Sequence, residues 1–193
     1  MSENLSAILK SWEGTRLRIY TLGYQSLSQD LYVQTLINAG VGVVLDVREH
    51  PWSQRPAFVK SNLRNALFQG GIEYCHLKTA GNPSKNRKTA RSAAECLSRY
   101  RSHLSENNDC LKDLLVIIKE AEQASRPACL TCYERSYQDC HRSVLIEELL
   151  NLEANLTPIH LEPSIVAQLK PQRAKRPSLA TTAYLAPALL PFK

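Results

Sequence analysis

The sequence predicts an α/β fold, a Rossmann-like three-layer sandwich on a mostly parallel sheet. Three observations carry that expectation. Apolar, β-rich runs alternate with segments of helical periodicity. One run, residues 41–47, is almost wholly apolar, as a strand covered on both faces must be. A strand, a helix and a second strand fit within roughly 30 residues, the length of one βαβ unit.

The elements come in order along the chain. Residues 18–22 (Arg18-Ile19-Tyr20-Thr21-Leu22) read as a strand ending at Gly23. Ser26 or Ser28 can then cap a helix with apolar positions at Leu31, Leu36 and Ile37, stopped by Asn38-Ala39-Gly40. The second strand ends in Asp46-Val47, and two prolines within residues 48–56 mark that stretch as a loop. Residues 60–69 form a helix ended by Gly70-Gly71, and residues 72–77 alternate as a third strand. Residues 79–89 are polar and contain Gly81-Asn82-Pro83, which predicts an exposed loop. Helices are expected over 91–105 and 109–124, the latter with a stripe at Leu111, Leu114, Leu115 and Ile118. Residues 127–132 give a central strand, 140–152 a helix and 158–161 a short last strand.

One domain over residues 1–165 and a basic, Pro/Ala-rich tail over 166–193 account for the 193 residues. At 44% apolar and 22% charged the composition is that of an ordinary globular protein, and no apolar run approaches a membrane span. Residues 1–12 lack the basic and apolar regions of a secretory signal, so a cytoplasmic location is expected. There the six irregularly spaced cysteines stay reduced. The net charge of +6 is uneven. Five basic residues and no acid fall within 164–193, and seven basic residues against Glu95 alone fall within 78–101. Such stretches suit a phosphate-bearing ligand or a nucleic acid, or simply a solvated face.

Two stretches carry chemistry. Asp46-Val47-Arg48 puts a charged pair at the end of an apolar strand, where it must pair internally or bind a ligand. On the second reading Asp46 orients a ligand and Arg48 binds an anion. Residues 132–142 join a strand to a helix. Cys140, His141 and Arg142 are expected in the first helical turn, with Ser136 or Asp139 as cap, where unpaired N–H groups and the dipole favour an anion. That field favours a Cys140 thiolate, Glu134 can serve as acid or base, and His141 can shuttle a proton. The alternative is that Cys132 and Cys140 are small buried structural groups.

A phosphatase-type loop needs a cysteine six positions before an arginine, but Gln138 stands there. C-x7-C-H is not a usual zinc spacing, so no metal site is expected, and no cofactor is indicated. Glycine-rich phosphate loops, nucleophile elbows and metalloprotease helices are lacking. Tyr24, Arg55, Lys60 and His76 lie where they can join the same sheet edge as ligand-binding residues, with Cys132 and Arg142.

These residues, in order, resemble the DUF488 family, a set of proteins named for their unknown function. The likeness runs through Tyr20-Thr21-Leu22-Gly23-Tyr24 and Ser26; Asp46-Val47-Arg48, Pro51, Ser53, Arg55, Phe58, Lys60 and Leu63; and Gly71-Ile72-Glu73-Tyr74 and His76. It closes on Cys132-x-Glu134 and Cys140-His141-Arg142. Tyr137 stands where the family usually has proline, and Ala80-Gly81-Asn82-Pro83 replaces its usual Leu-Gly-Gly. The resemblance implies a Rossmann-like fold with one shared site and no established activity.

Three functions are therefore open. The first is an enzyme or binding protein for a phosphate-bearing or nucleotide-like ligand, with Asp46, Glu134, Cys140 and His141 as its chemical groups. The second is a nucleic-acid-binding module using residues 78–101 and the tail. The third is an interaction protein docking through residues 184–192.

Overall fold

The computed structural model describes residues 16–163. The expected leader-free N-terminus, the basic tail and the apolar 184–192 segment lie outside the described residues. Five strands form one all-parallel sheet: β1 (Leu17–Gly23), β2 (Val43–Asp46), β3 (Glu73–His76), β4 (Ala128–Cys132) and β5 (Leu156–His160). Their order across the sheet is β3-β2-β4-β1-β5. The last strand to enter the middle, β4, sits between β1 and β2, with Thr131 beside both Leu22 and Asp46. All five residues of β4 are buried, as a central strand's must be.

Six helices are described: α1 (Gln29–Asn38), α2 (Lys60–Gln69), α3 (Ser84–Thr89), α4 (Ala93–Glu106), α5 (Asp109–Gln123) and α6 (Arg142–Leu152). The alternation of side chains along each strand divides them into two outer layers. On one face Tyr20, Leu22, Val44 and Cys129 pack with Tyr32 and Leu36 of α1 and Leu63 and Leu67 of α2. On the other, Ile19, Val43, Leu45 and Leu130 pack with Tyr100 and Leu104 of α4, the α5 stripe, and Leu145 and Leu149 of α6. The three-layer α/β sandwich is the predicted fold class. No described helix is long and apolar enough to cross a membrane.

Local chemistry explains most boundaries. Of the two candidate serines, Ser28 caps α1, its Oγ accepting from Leu31 N at 3.2 Å. Ser26 instead adopts φ +63° in the preceding turn.

Two expectations need correction. Residues 79–89 are not all loop: Lys78–Ala80 is a 3-10 turn and Ser84–Thr89 is helical. Helix α3 has no buried residue, so periodicity could not reveal it. It is held from outside, by the Glu49 carboxylate accepting from Ser84 N at 2.7 Å and from Arg87 Nη2 at 3.1 Å. The last helix starts at Arg142, two residues later than expected, and neither Ser136 nor Asp139 caps it. Cys140 N is already spent on Tyr137 O in the preceding turn.

Candidate functional site

In an all-parallel sheet every strand delivers its carboxyl end to the same edge. Here that edge receives Gly23 and Tyr24 from β1, Asp46 to Arg48 from β2, His76 from β3 and Cys132 from β4. The stretches near 46 and near 140 meet there, where His141 Nε2 donates to Val47 O at 2.8 Å.

Asp46 and Arg48 form an internal buried pair. Arg48 Nε donates to Asp46 Oδ1 at 2.8 Å and Nη2 to Oδ2 at 2.5 Å, a bidentate fork. Arg48 Nη1 donates to Tyr24 Oη and to Phe58 O, both at 2.9 Å. Tyr74 Oη adds a further donor to Asp46, at 2.7 Å. Burial works against the guanidinium charge, but Asp46 overcomes it and holds Arg48 above its ordinary range. Tyr24 is fixed in turn, stacked on Phe58 with ring centroids 4.3 Å apart.

The second stretch gathers two thiols around one imidazole. His141 Nδ1 lies 3.8 Å from Cys132 Sγ and 3.7 Å from Cys140 Sγ. A carbonyl can only accept, so the bond to Val47 O commits the Nε2 proton and turns Nδ1 toward the sulfurs. Tyr100 of α4 packs edge-on against the imidazole and limits its rotation. Arg142 is almost wholly buried, with Nε 3.3 Å from Cys140 Sγ and Nη2 2.5 Å from Glu134 O. Burial opposes a Cys140 thiolate, yet hydrogen bonding from Cys132 and His141 and the charges of His141 and Arg142 bring it well below a thiol's usual range. Burial likewise disfavours the imidazolium, and the Cys140 sulfur raises it. The Cys140 sulfur and burial push Cys132 up; burial, then Cys140, pushes Glu134 up. Glu134 Oε2 is buried without a hydrogen-bond partner.

Gly23 permits this packing. A Cβ there would stand 1.7 Å from Glu134 O and 2.9 Å from Arg142 Nη2, so only glycine lets the β1 end pass under the Glu134 loop.

Above these groups opens a cleft of about 430 Å³, lined by Tyr24, by Arg48 to Arg55 without Pro51, by Asn82 and Arg87, and by Cys132, Tyr133, Glu134 and His141. Of the residues singled out from sequence, Tyr24, Arg48, Arg55, Cys132, Glu134 and His141 line it. Asp46, Cys140 and Arg142 lie beneath it, buried. Arg55 turns inward, donating to Tyr24 O at 2.8 Å and to Leu27 O. Lys60 is exposed at the start of α2 and His76 donates to Arg48 O at 2.9 Å; neither lines the cleft.

Sequence reasoning missed His50 and Trp52, and read Asn82 only as part of a loop and Arg87 only as part of the basic stretch 78–101. Trp52, 67% exposed in a polar, proline-flanked loop, carried a readable signal, since a large aromatic there has no core to serve. Arg87 could be placed only through its tie to Glu49. In the basic stretch 78–101, Arg99 pairs with Glu95, and Arg101 with Glu147 and Glu148. Lys78, Lys85, Lys88 and Arg91 are exposed and make no ion pair among the described residues.

The chain belongs to the family described as domain of unknown function DUF488, whose model matches residues 28–149. That span contains Asp46, Arg48, Cys132, Glu134 and the Cys140-His141-Arg142 run. No curated protein and no solved structure matches the chain.

Proposed function

We propose that this member of the DUF488 family is an enzyme that binds a phosphate-bearing, nucleotide-like ligand in the cleft and acts on it by acid–base chemistry at Glu134. The observation that carries this reading is the make-up of the cleft. Two exposed aromatics, Trp52 and Tyr133, stand beside it as stacking faces. Arg87 supplies an exposed cationic group and His50 an exposed imidazole on its wall, and Cys132, Glu134 and His141 supply reactive ones.

The division of labour among the arginines follows from their donors. Arg48 and Arg142 spend theirs inside the protein and act as positioning residues for the loop after β2 and for the Glu134 loop. The ligand's phosphate falls to Arg87, whose one engaged nitrogen leaves the rest of the guanidinium free. Six cysteines without a disulfide support a reducing compartment such as the cytoplasm.

The test is a panel of nucleosides, nucleoside mono- and diphosphates and inorganic phosphate, read by tryptophan fluorescence and calorimetry. Saturable binding is expected for nucleotides, weakened about 10-fold by Trp52→Ala, in line with the ~1–3 kcal/mol of one stacking contact, and weakened also by Arg87→Ala, which removes the charge that meets the phosphate. Glu134→Gln should keep binding and lose turnover. Failure of the whole panel to bind, or binding indifferent to both cleft variants, ends the reading.

A second reading has its own observation. Lys85 and Lys88 of α3, with Lys78 before it and Arg91 after it, are exposed, make no ion pair among the described residues and suit a polynucleotide backbone. It requires affinity for oligonucleotides that falls steeply with salt, and a shallower slope once these four are changed to Gln.

A further inference from the structure

We propose that Cys132, Cys140 and His141 form a three-ligand site for a divalent, borderline-soft cation of the Zn²⁺ type, with its fourth position toward the cleft beside Glu134. The inference goes beyond the proposed ligand and does not depend on it.

The distances are those a tetrahedral ion sets. With Zn–S of ~2.3 Å and Zn–N of ~2.0–2.1 Å, the edge between a sulfur and a nitrogen ligand is about 3.6 Å. Cys132 Sγ and Cys140 Sγ stand 3.8 and 3.7 Å from His141 Nδ1, and the three ligand atoms all lie within 4.8 Å of one another. All three residues are buried, so the site is already desolvated.

The groups behind the ligands agree. Metal-binding imidazoles usually donate their other N–H to a carbonyl or carboxylate, and Val47 O takes that place for Nε2 at 2.8 Å. A thiolate ligand gains from an outer donor, and Arg142 Nε points at Cys140 Sγ from 3.3 Å. The charges also close. Two thiolates neutralise a divalent cation. The burial cost that an uncompensated charge would carry is thus avoided.

A separate observation points into the same place. Glu134 Oε2 is buried with no partner, which is costly for a carboxylate unless something cationic or protic faces it. Cys132, Glu134 and His141 also line the cleft while Cys140 lies below, so the side left open by the three ligands faces the cleft. Three protein ligands and one open position is the arrangement of a catalytic rather than a structural ion.

Sequence spacing hid this site. Its ligands come from the end of β4 and from the turn before α6, brought together by the loop that arches over Gly23. C-x7-C-H therefore reports the loop's length and says nothing of the distance between the sulfurs.

The experiment uses the full chain, purified under reducing conditions without chelator and analysed for metal, then stripped and titrated with Zn²⁺ or Co²⁺ alone. The expected result is one equivalent bound per chain and a raised Tm. The Co²⁺ form should show thiolate charge-transfer bands in the near ultraviolet and the strong visible bands of tetrahedral coordination. Cys132→Ser, folded by circular dichroism, should weaken binding by more than ~100-fold, beyond the ~10–100-fold cost of losing a group that only supports a ligand. Cys75→Ser, elsewhere in the fold, should change nothing. Folded wild-type chain that takes up less than one equivalent overturns the proposal, even if no cysteine variant folds. So does a Co²⁺ form without sulfur charge transfer, or one whose bands survive Cys132→Ser. No organic ligand enters the assay, so its failure and that of the nucleotide reading are separate outcomes.

Discussion

Replacing Asp46 by leucine should destabilise the protein more than replacing Asp46 and Arg48 together. The Asp46 carboxylate is fully buried and accepts four hydrogen bonds, three from Arg48 and one from Tyr74. Asp46→Leu leaves the Arg48 guanidinium, only 6% exposed, with a full charge and no counter-charge. Breaking one side of a buried pair costs about 3–5 kcal/mol. At ~2–4 °C per kcal/mol for a chain of this size, Tm should fall by roughly 6–20 °C. Asp46→Leu/Arg48→Met removes both charges and fills the space with apolar atoms, so much of that cost should return although more hydrogen bonds are lost. The assay is urea unfolding of the wild type, both single variants and the double variant, followed by far-ultraviolet circular dichroism and closed as a thermodynamic cycle. A double variant as unstable as the two singles summed would refute the reasoning, because the charges would then be uncoupled.

Other sites give independent outcomes. Gly23→Ala must push the Glu134 backbone away from β1, costing about 1–3 kcal/mol of stability and weakening binding in the cleft; both are read in one preparation by thermal unfolding and ligand titration. Tyr32→Phe removes a buried bond to Thr131 Oγ1 of 2.7 Å, made by a residue that does not itself line the cleft, and should cost ~1 kcal/mol in urea unfolding. Glu49 is the pH reporter. Burial opposes its charge, but donors from Ser84 and Arg87 prevail and hold its carboxyl below the ordinary value of 4.5. Its stabilising share is whole above that ordinary value and drains away as pH falls through the lower folded one. The stability gap between wild type and Glu49→Gln should therefore narrow on acidification below about 4.5; a gap that stays constant or widens contradicts the assignment.

The fold was legible because its signals are local. The apolar run at 41–47, the α5 stripe and the Ser28 cap each report on their own few residues, and each became the expected element. What stayed hidden is carried by contacts across the chain. Helix α3 exists because Glu49, 35 residues earlier, captures Ser84 N. The start of α6 was misplaced because the Cys140 backbone serves a turn before it serves a helix. Residue types near positions 46 and 140 were readable as a site, but which arginine is free was not. Arg48, Arg55 and Arg142 are as basic as Arg87 in sequence, and only their acceptors separate positioning groups from a group that can meet a ligand.

The loop after β2 explains why a buried ion pair, costly to assemble, stands at this edge. Val47 O and Arg48 O each accept from a histidine, His141 at 2.8 Å and His76 at 2.9 Å. Those carbonyls must be held in fixed directions for His141 to keep its Nδ1 turned toward the two sulfurs. Hydrophobic residues at 46 and 48 would fill the same volume and keep much of the stability, but they would leave the loop free to rotate its carbonyls. The fork between Arg48 and Asp46, tied on to Tyr24 and Phe58 O, removes that freedom. The Asp46→Leu/Arg48→Met protein should therefore fold well and still bind Co²⁺ more weakly than the wild type, a separation of stability from site geometry that a purely structural ion pair would not produce.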